Sequence, residues 1–268
     1  YYSDRESKVF ERKTDENNVV TVVPGIILEK EVKEKQFIKF LAQGTRPEQL
    51  FLTEALSRNI ALIRQVVHWF SNHLQIIRPD SPYVSLALRV LKEEKFIDYM
   101  SKFLHVADTG INRIQCDEER FDPDKHLISA PADIRQKIME DLNVDNSIQI
   151  LIKTPEEFAT IFKDNLESGA SIKYIKLKTE HIRNDGTPVY FKPEQESDGT
   201  RRLMDIAPLL LDILDLDRVF VIDELDRSLH TLLSRLFIKA VLAGVLEKQA
   251  RGQFIMTTHD TNLLDRSL

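Results

Sequence analysis

The period of the hydrophobic positions changes along the first hundred residues. Residues 7–41 contain two β-branched runs separated by the polar sequence DENN, which predicts a hairpin. Beyond them, apolar residues recur every three or four positions, which predicts helices. The proline-containing sequence RPDSP at 78–82 separates a first helix from a second. We therefore predict a β-rich part over residues 1–44 and a helical insertion over residues 45–105.

Local signals add further elements to this outline. TRPE at 45–48 and TPEE at 154–157 both have capping-box spacing, and each predicts the start of a helix. HVADTGINRIQC at 105–116 and SIKYIKLKTEHI at 171–182 have the β-branched character of strands. A short helix is predicted near 131–142.

The last seventy residues carry the clearest pattern. GTRRLMDIAPLLLDIL predicts a helix, RVFVIDE a strand, SLHTLLSRLFIKAVLAGVLEKQA a helix and GQFIMTTHD a strand. Alternating helices and apolar strands predict a parallel sheet that is covered on both faces. The predicted fold class is α/β, with a mostly parallel sheet flanked by helices, and residues 106–268 form its C-terminal lobe.

Composition narrows the class of protein. The 268 residues are 42% hydrophobic and 30% charged, as in a globular protein, and the net charge of −6 argues against a wholly basic nucleic-acid binder. The single cysteine, Cys116, excludes an internal disulfide and fits a reducing cytoplasm. No run of eighteen apolar residues occurs, so we expect no contact with a membrane through a spanning segment.

Two adjacent carboxylates, Asp223 and Glu224, end the predicted strand RVFVIDE. Such a pair is costly to remove from water unless a cation compensates it. The strand resembles a Walker B element, in which Asp223 would hold magnesium and Glu224 would polarise the water that attacks a γ-phosphate. The alternative is a strand that ends in a solvated acidic loop.

Two further sites accompany this pair. TTHD would place His259 at the carboxyl edge of a neighbouring strand, where ligands of open α/β sheets bind, although a capping histidine is the simpler interpretation. ESDGTRRL places Ser197 and Gly199 just before an amphipathic helix, whose N-terminus can bind an anion. An ordinary serine cap with a turn glycine is the alternative there.

Taken together, ESDGT, VFVIDE and TTHD resemble the second half of an ABC-type ATPase head. SDGT is similar to a degenerate ABC signature, TTHD to a switch histidine, and RSLH at 227–230 falls where the D-loop lies. The resemblance is closer still to the prokaryotic AAA_15/AAA_21 ATPases, which are related to OLD and SMC proteins. Members of that family occur in antiphage systems, including retron and Septu-type ATPases that are paired with nucleases. The resemblance spans roughly residues 37–268.

The resemblance implies ATP and Mg²⁺ as cofactors and a role for each matching residue. Asp223 would serve magnesium, Glu224 would be the catalytic base, and His259 would sense the γ-phosphate. The residues implied to bind nucleotide across a dimer, or to lie at its seam, are Ser197, Gly199, Thr200, Ser228 and His230.

This sequence departs from the family pattern at three places. Asp198 and Thr200 stand where typical signatures have glycine and glutamine, so the side chain of Asp198 should point away from a phosphate. His230 replaces the usual D-loop aspartate.

A phosphate-binding loop requires G-x-x-x-x-G-K-[ST], because backbone N–H groups must approach the phosphates closely. None of the eight glycines precedes a lysine. We expect this loop upstream of Tyr1, so that the chain is an incomplete ATPase head. Loss of the loop, which would leave a non-catalytic pseudo-ATPase, is the rival explanation.

The leading expectation is an ATPase that forms a homodimer or higher oligomer around ATP and regulates an effector, such as an HNH-type nuclease, in antiviral defence. An SMC/OLD-like DNA-repair ATPase is the alternative, although its long coiled coil is missing here. A metal-dependent hydrolase with Asp223, Glu224 and His259 as direct ligands and a non-catalytic interaction module are further alternatives. Nucleic acid stays open as a partner.

Overall fold

The computed structural model separates the chain into two compact units, Tyr1–Gln75 and Ile76–Leu268. The helices expected between residues 45 and 105 fall in both units, and the predicted domain boundaries at 44 and 105 stay predictions. The structure describes residues 8–25, 35–145, 147–154, 157–164, 172–215, 217–248 and 252–264.

The first unit begins with the predicted hairpin and continues with helices. Strands pair in antiparallel register from Phe10↔Pro24 to Thr14↔Val20, and Asn18 takes the positive φ of 59° in the turn. The elements of this unit are β1 (Phe10–Thr14), β2 (Val20–Pro24), α1 (Lys35–Gly44), α2 (Phe51–Ser57) and α3 (Ala61–Asn72), and a short strand, β3 (Leu74–Ile77), leads into the second unit.

Two sequence predictions for the first unit are wrong. The β-rich assignment fails over α1, because Ile38, Leu41 and Ala42 recur at helical spacing and are buried in the core of this unit. Thr45 does not begin a helix, since its hydroxyl donates to the Leu41 carbonyl at 3.0 Å and so closes the end of α1. Asn59, with a φ of 59°, then separates α2 from α3.

The second unit contains two sheets and seven α-helices within the described residues. Its further strands are β4 (Ile111–Arg120), β5 (Ser147–Lys153), β6 (Phe158–Asp164), β7 (Lys173–Ile182), β8 (Pro188–Phe191), β9 (Val219–Ile222) and β10 (Gln253–Met256). Its helices are α4 (Leu86–Lys92), α5 (Glu94–Val106), α6 (Pro123–His126), α7 (Ala132–Val144), α8 (Asp198–Ile206), α9 (Pro208–Asp215) and α10 (Thr231–Lys248).

The larger sheet is antiparallel, with the order β4-β7-β6-β5 and with β8 also paired to β7. The helix predicted from TPEE at 154–157 is wrong, because this segment joins β5 to β6. Thr154 N–H donates to the Glu157 carbonyl at 2.9 Å, and Glu157 N–H donates to the Thr154 hydroxyl at 3.0 Å. A backbone N–H that donates to a threonine hydroxyl three residues earlier can cap a helix, but here the same bond stabilises the turn of a β-hairpin.

The predicted parallel pairing is confirmed in the smaller sheet, whose order is β10-β9-β3. β9 and β10 run parallel with α10 between them along the chain, and the register pairs Ile222 with Met256. Aromatic side chains join this sheet to α10, since Phe220 of β9 and Phe237 of α10 are fully buried and both contact Phe254 of β10. The α/β class is therefore confirmed, with parallel and antiparallel sheets side by side in one unit.

A partly buried polar network fixes α8 and α9 against the segment that leads into α4. Tyr83 N–H donates to Asp205 of α8 at 3.0 Å, while the Tyr83 hydroxyl donates to Asp212 of α9 at 2.8 Å. Arg89 completes the network by donating to Asp212 at 2.8 Å. These directional bonds set the position of α8, whose N-terminus carries Ser197.

None of the helices in the described part of the chain is both long and apolar enough to cross a membrane.

Phe220→Ala should lower the free energy of unfolding of the second unit by about 3–5 kcal/mol, because it leaves a cavity at the centre of the core. The matched control is Ile255→Ala on the neighbouring strand, where the side chain is 53% exposed and the cost should stay below about 1 kcal/mol. Chemical denaturation of both variants measures the difference. Equal losses would contradict the placement of Phe220 in the core.

Asp205 should make stability fall as pH rises. Burial raises the pKa of Asp205 to about 6 and outweighs the Tyr83 N–H and the neighbouring cations, which lower the pKa. The folded protein therefore binds the proton more tightly than the unfolded chain, and stability is lost between about pH 4 and pH 6. Asp205→Asn should remove this loss, which amounts to about 3 kcal/mol above pH 6. Unfolding free energies measured between pH 4 and pH 7 that change with pH equally in both proteins would refute this.

Candidate active site at the carboxyl ends of β9 and β10

The parallel pairing of β9 with β10 brings the predicted acidic pair and the predicted histidine to one edge of the sheet. Asp223 and Glu224 follow β9, and the sequence Thr257-Thr258-His259 follows β10. Glu224 and His259 meet there, with 3.6 Å between Glu224 Oε1 and His259 Nε2. The sheet edge expected to hold a ligand thus carries two carboxylates and an imidazole.

The hydroxyl of Thr257 joins the two strand ends. It donates to Asp223 Oδ1 at 2.7 Å and accepts from the backbone N–H of Glu224 at 2.8 Å. Asp223 N–H in turn donates to the Ile77 carbonyl of β3 at 2.9 Å. One oxygen of Asp223 is therefore held in place, while no described residue bonds the other.

Glu224 has an unusual backbone conformation. Its φ of 48° lies in the left-handed region, which residues other than glycine, asparagine and aspartate seldom adopt. The N–H of the next residue, Leu225, donates to the Thr257 carbonyl at 2.9 Å and holds the chain in this conformation. Strained residues of this kind concentrate at functional sites. The Glu224 carboxylate is partly exposed and also pairs with Arg227 at 3.3 Å.

Asp226 anchors the histidine segment. Its Oδ1 accepts from the Thr258 hydroxyl at 2.7 Å and from His259 N–H at 3.0 Å. Burial alone would raise the pKa of Asp226, but these hydrogen bonds outweigh it and hold the pKa below its usual value. The backbone of His259 is therefore tied to the turn after β9, while its imidazole stays largely exposed.

Sequence reasoning missed Thr257, Thr258 and Asp226. A signal for them existed, because two threonines after β10 stand opposite the sequence DELD after β9, and parallel register places these segments level. The pairing of individual hydroxyls with individual carboxylates could not be derived without the register.

The other group of predicted residues lies at the N-terminus of α8. Ser197 caps this helix, because its Oγ accepts from Thr200 N–H at 3.1 Å and lies 2.9 Å from the Thr200 hydroxyl. Asp198 pairs with Arg201 and is largely exposed. The carboxylate of Asp198 therefore forms an ion pair with a residue one turn further along the same helix.

Gly199 lies against the turn that follows Glu224. A Cβ atom at this position would approach the Ser228 carbonyl oxygen to 2.9 Å, which real Cβ atoms essentially never do. Ser228 itself has a φ of 62°. Glycine is therefore required at position 199 for α8 to pack this closely against the segment expected to be the D-loop.

The residue before Ser197 is fixed to the larger sheet. Glu196 Oε1 lies 2.8 Å from His181 Nε2 and also accepts from the Thr179 hydroxyl, both on β7. The residue before the Ser197 cap is therefore bonded to β7, and Gly199 after the cap packs on Ser228.

His230 lies apart from these contacts. Its Nδ1 accepts from Leu232 N–H at 3.3 Å, so that it caps the first turn of α10. Among the contacts of the described residues, none joins His230 to Asp223, Glu224 or His259. Its expected position at a dimer seam stays a prediction.

The side chains at this edge of the sheet limit how a metal ion could be bound. Within the described ranges, no group of three or more His, Cys, Asp or Glu side chains is arranged to hold a metal ion. This gives no support to the alternative in which Asp223, Glu224 and His259 ligate a metal directly. Mg²⁺ is commonly held by one or two carboxylates together with water and phosphate oxygens, and the unbonded oxygen of Asp223 fits that requirement.

Comparisons with known proteins identify the family of this chain. Neither the curated proteins nor the solved structures that were compared gave a match. One protein family, described as "AAA domain, putative AbiEii toxin, Type IV TA system", matches residues 25–265, which is most of the chain. The chain therefore belongs to the AAA_21 family and has the α/β fold of an AAA-type, P-loop-ATPase-like domain.

Proposed function

We propose that this chain supplies the magnesium-holding and water-activating residues of a domain that binds and hydrolyses ATP. Family membership supports an ATPase of the general P-loop kind. The observation that carries the assignment of residues is the meeting of Glu224 and His259, 3.6 Å apart, at the carboxyl ends of two parallel strands. That edge is where α/β sheets bind nucleotides.

Asp223 is the proposed magnesium residue. The Thr257 hydroxyl occupies its Oδ1 and leaves Oδ2 available for a water molecule of a hydrated Mg²⁺. Because Thr257 also bonds Glu224 N–H, one hydroxyl orients both members of the acidic pair. Thr257 is thus proposed as a positioning residue.

Glu224 is the proposed general base. Its carboxylate is partly exposed, so a water molecule can reach it, and it lies 3.6 Å from the His259 imidazole. A carboxylate in this position can orient the attacking water and accept its proton. The exposed imidazole of His259 can bond a γ-phosphate oxygen from the same edge.

The N-terminus of α8 is the proposed contact to a second subunit. Ser197 presents an exposed hydroxyl at the N-terminus of α8, where the helix dipole favours an anion such as a phosphate and Gly199 lets it approach the backbone. The buried Thr200 holds the Ser197 side chain in place through its N–H and hydroxyl. Gly199 packs on Ser228, so that the signature-like segment and the D-loop-like segment form one surface. Dimerisation around ATP through this surface, with Ser228 and His230 at the seam, is part of the proposal.

The effector is proposed from the family alone. The family description names a toxin and a type IV toxin–antitoxin system. We propose that ATP turnover regulates such an effector, with a nuclease as partner, in prokaryotic defence. A DNA-processing ATPase of the SMC/OLD kind is the alternative.

Glu224→Gln tests the role of the base in the full-length protein. We expect turnover to fall about 10²–10³-fold, because the amide cannot accept a proton, while ATP binding is retained and a nucleotide-bound dimer accumulates. Steady-state hydrolysis, nucleotide titration and light scattering measure these three effects. Glu16→Gln, an exposed carboxylate of the first unit, is the matched control and should leave all three unchanged.

Turnover that is unaffected by Glu224→Gln would remove this residue from the role of base. The coding sequence of the natural protein provides an independent check. A G-x-x-x-x-G-K-[ST] motif there supports hydrolysis, and a full-length protein without such a loop would refute it.

Thr257→Val tests the positioning role. Valine has the same shape but no hydroxyl, so Asp223 loses its donor and Glu224 N–H its acceptor. We expect a loss of about 1 kcal/mol in unfolding free energy and a several-fold rise in the Mg²⁺ concentration for half-maximal turnover. Thr257→Ser keeps the hydroxyl and should restore both values. A Mg²⁺ requirement that is identical in all three proteins would contradict the role of Thr257.

A further inference from the structure

A cavity of about 410 Å³ lies beside α8 and is separate from the Asp223–Glu224–His259 group. Its walls come from the loop after β3, the β5–β6 hairpin, the 3₁₀ helix Pro193–Gln195, α8 and the turn after Glu224. The volume is at the lower end of the range for small-molecule sites. It fits a single small metabolite.

One face of α8 is turned to this cavity. Asp198, Arg201, Arg202 and Asp205 all line it and follow each other at helical positions i, i+3, i+4 and i+7. The apolar face of the same helix, which carries Leu203 and Ile206, is buried in the core. The charged residues of α8 are therefore gathered on the cavity wall.

Arg202 brings an unused pair of donors to this cavity. The residue is 4% exposed, and its Nη1 donates to the Arg78 carbonyl at 3.3 Å, whereas its buried Nε and Nη2 have no hydrogen-bond partner. The N–H groups of Nε and Nη2 point in the same direction and form the edge that binds a carboxylate or phosphate through two parallel hydrogen bonds. A buried guanidinium without such a partner is costly.

Glu194 brings an unused pair of acceptors. Both of its carboxylate oxygens are buried and without a hydrogen-bond partner, and the residue lines the same cavity from the 3₁₀ helix. Glu194 and Arg202 line the same cavity, but no ion pair within 4.0 Å joins them among the described residues. Two residues of the cavity wall thus carry a buried donor edge and a buried acceptor pair that do not satisfy each other.

We propose that this cavity binds a small molecule that carries both an anionic group and an amino group. The carboxylate or phosphate of the ligand would lie on the Nε/Nη2 edge of Arg202, and its amino group would donate to Glu194. An amino acid and an amino-bearing nucleotide share this chemistry. The inference goes beyond ATP hydrolysis and holds whether or not the chain turns over ATP.

The cavity also has a physical connection to the candidate active site. Arg227 and Ser228 line it, and Arg227 pairs with Glu224 at 3.3 Å while Ser228 packs on Gly199. A ligand in the cavity therefore contacts the turn that holds Glu224. Regulation of the active site by the ligand would follow from this contact.

Calorimetric titration of the chain with matched pairs of probes tests the proposal. The pairs are L-glutamate against 2-oxoglutarate and adenosine monophosphate against inosine monophosphate, with inorganic phosphate as the anion alone. In at least one pair, the amino-bearing probe should bind about tenfold more tightly than its partner, and the pair in which this occurs identifies the source of the ligand.

Variants connect this binding to the cavity. Glu194→Gln should weaken the preferred probe about tenfold and abolish its advantage over the matched partner, since the amide is a poorer acceptor for an amino group. Arg202→Lys should weaken both members of the pair, because lysine lacks the two-donor edge. Should Arg202→Lys fail to fold, Glu194→Gln decides the test alone. Glu140→Gln, an exposed carboxylate on α7, is the control and should bind as the wild type does.

Three results would overturn the proposal. The first is that no probe binds more tightly than about 10 mM. The second is binding of phosphate and the nucleotides without any preference for an amino group. The third is an amino preference that survives Glu194→Gln, which would place the ligand at another site, such as that of ATP.

Discussion

The parallel pairing of β9 with β10 is the constraint on which the candidate active site depends. It places the residues after Ile222 level with those after Met256, and the Thr257 hydroxyl then spans the two strand ends. Without this register, Glu224 and His259 would have no reason to meet across thirty-five residues of chain. The fully buried Phe220 and its contact with Phe254 hold the two strands together from the core side.

Helix α8 connects the core, the candidate active site and the cavity. Its apolar face is buried, its charged face lines the cavity, and Gly199 at its N-terminus allows it to approach Ser228 closely. Directional bonds from Tyr83 to Asp205 and from His181 to Glu196 fix it at both ends. Contacts with the core, the cavity and the turn after β9 therefore converge on a helix of only nine residues.

Two of the incorrect sequence predictions, the helix starts at Thr45 and Thr154, have a common physical origin. A threonine followed three residues later by glutamate predicts a helix start, yet Thr154 and Glu157 make the same type of local bond inside a β-hairpin, and Thr45 bonds backwards to the helix before it. Such short-range hydrogen bonds are compatible with several backbone conformations. The packing of neighbouring segments, such as the pairing of Lys153 with Phe158, decides between them.

The sequence by itself determined the α/β class, the order of helix and strand over the last seventy residues, and the resemblance to the AAA_21 family. These features follow from periodic burial and from contiguous motifs, which are local properties of the chain. Only the tertiary structure decided which side chains meet. The contacts of Thr257 and Asp226, and the unpartnered polar atoms of Arg202 and Glu194 in the cavity wall, depend on register and packing between segments far apart in sequence. Hydrophobic periodicity predicts which residues are buried, but it carries no information about their hydrogen-bond partners.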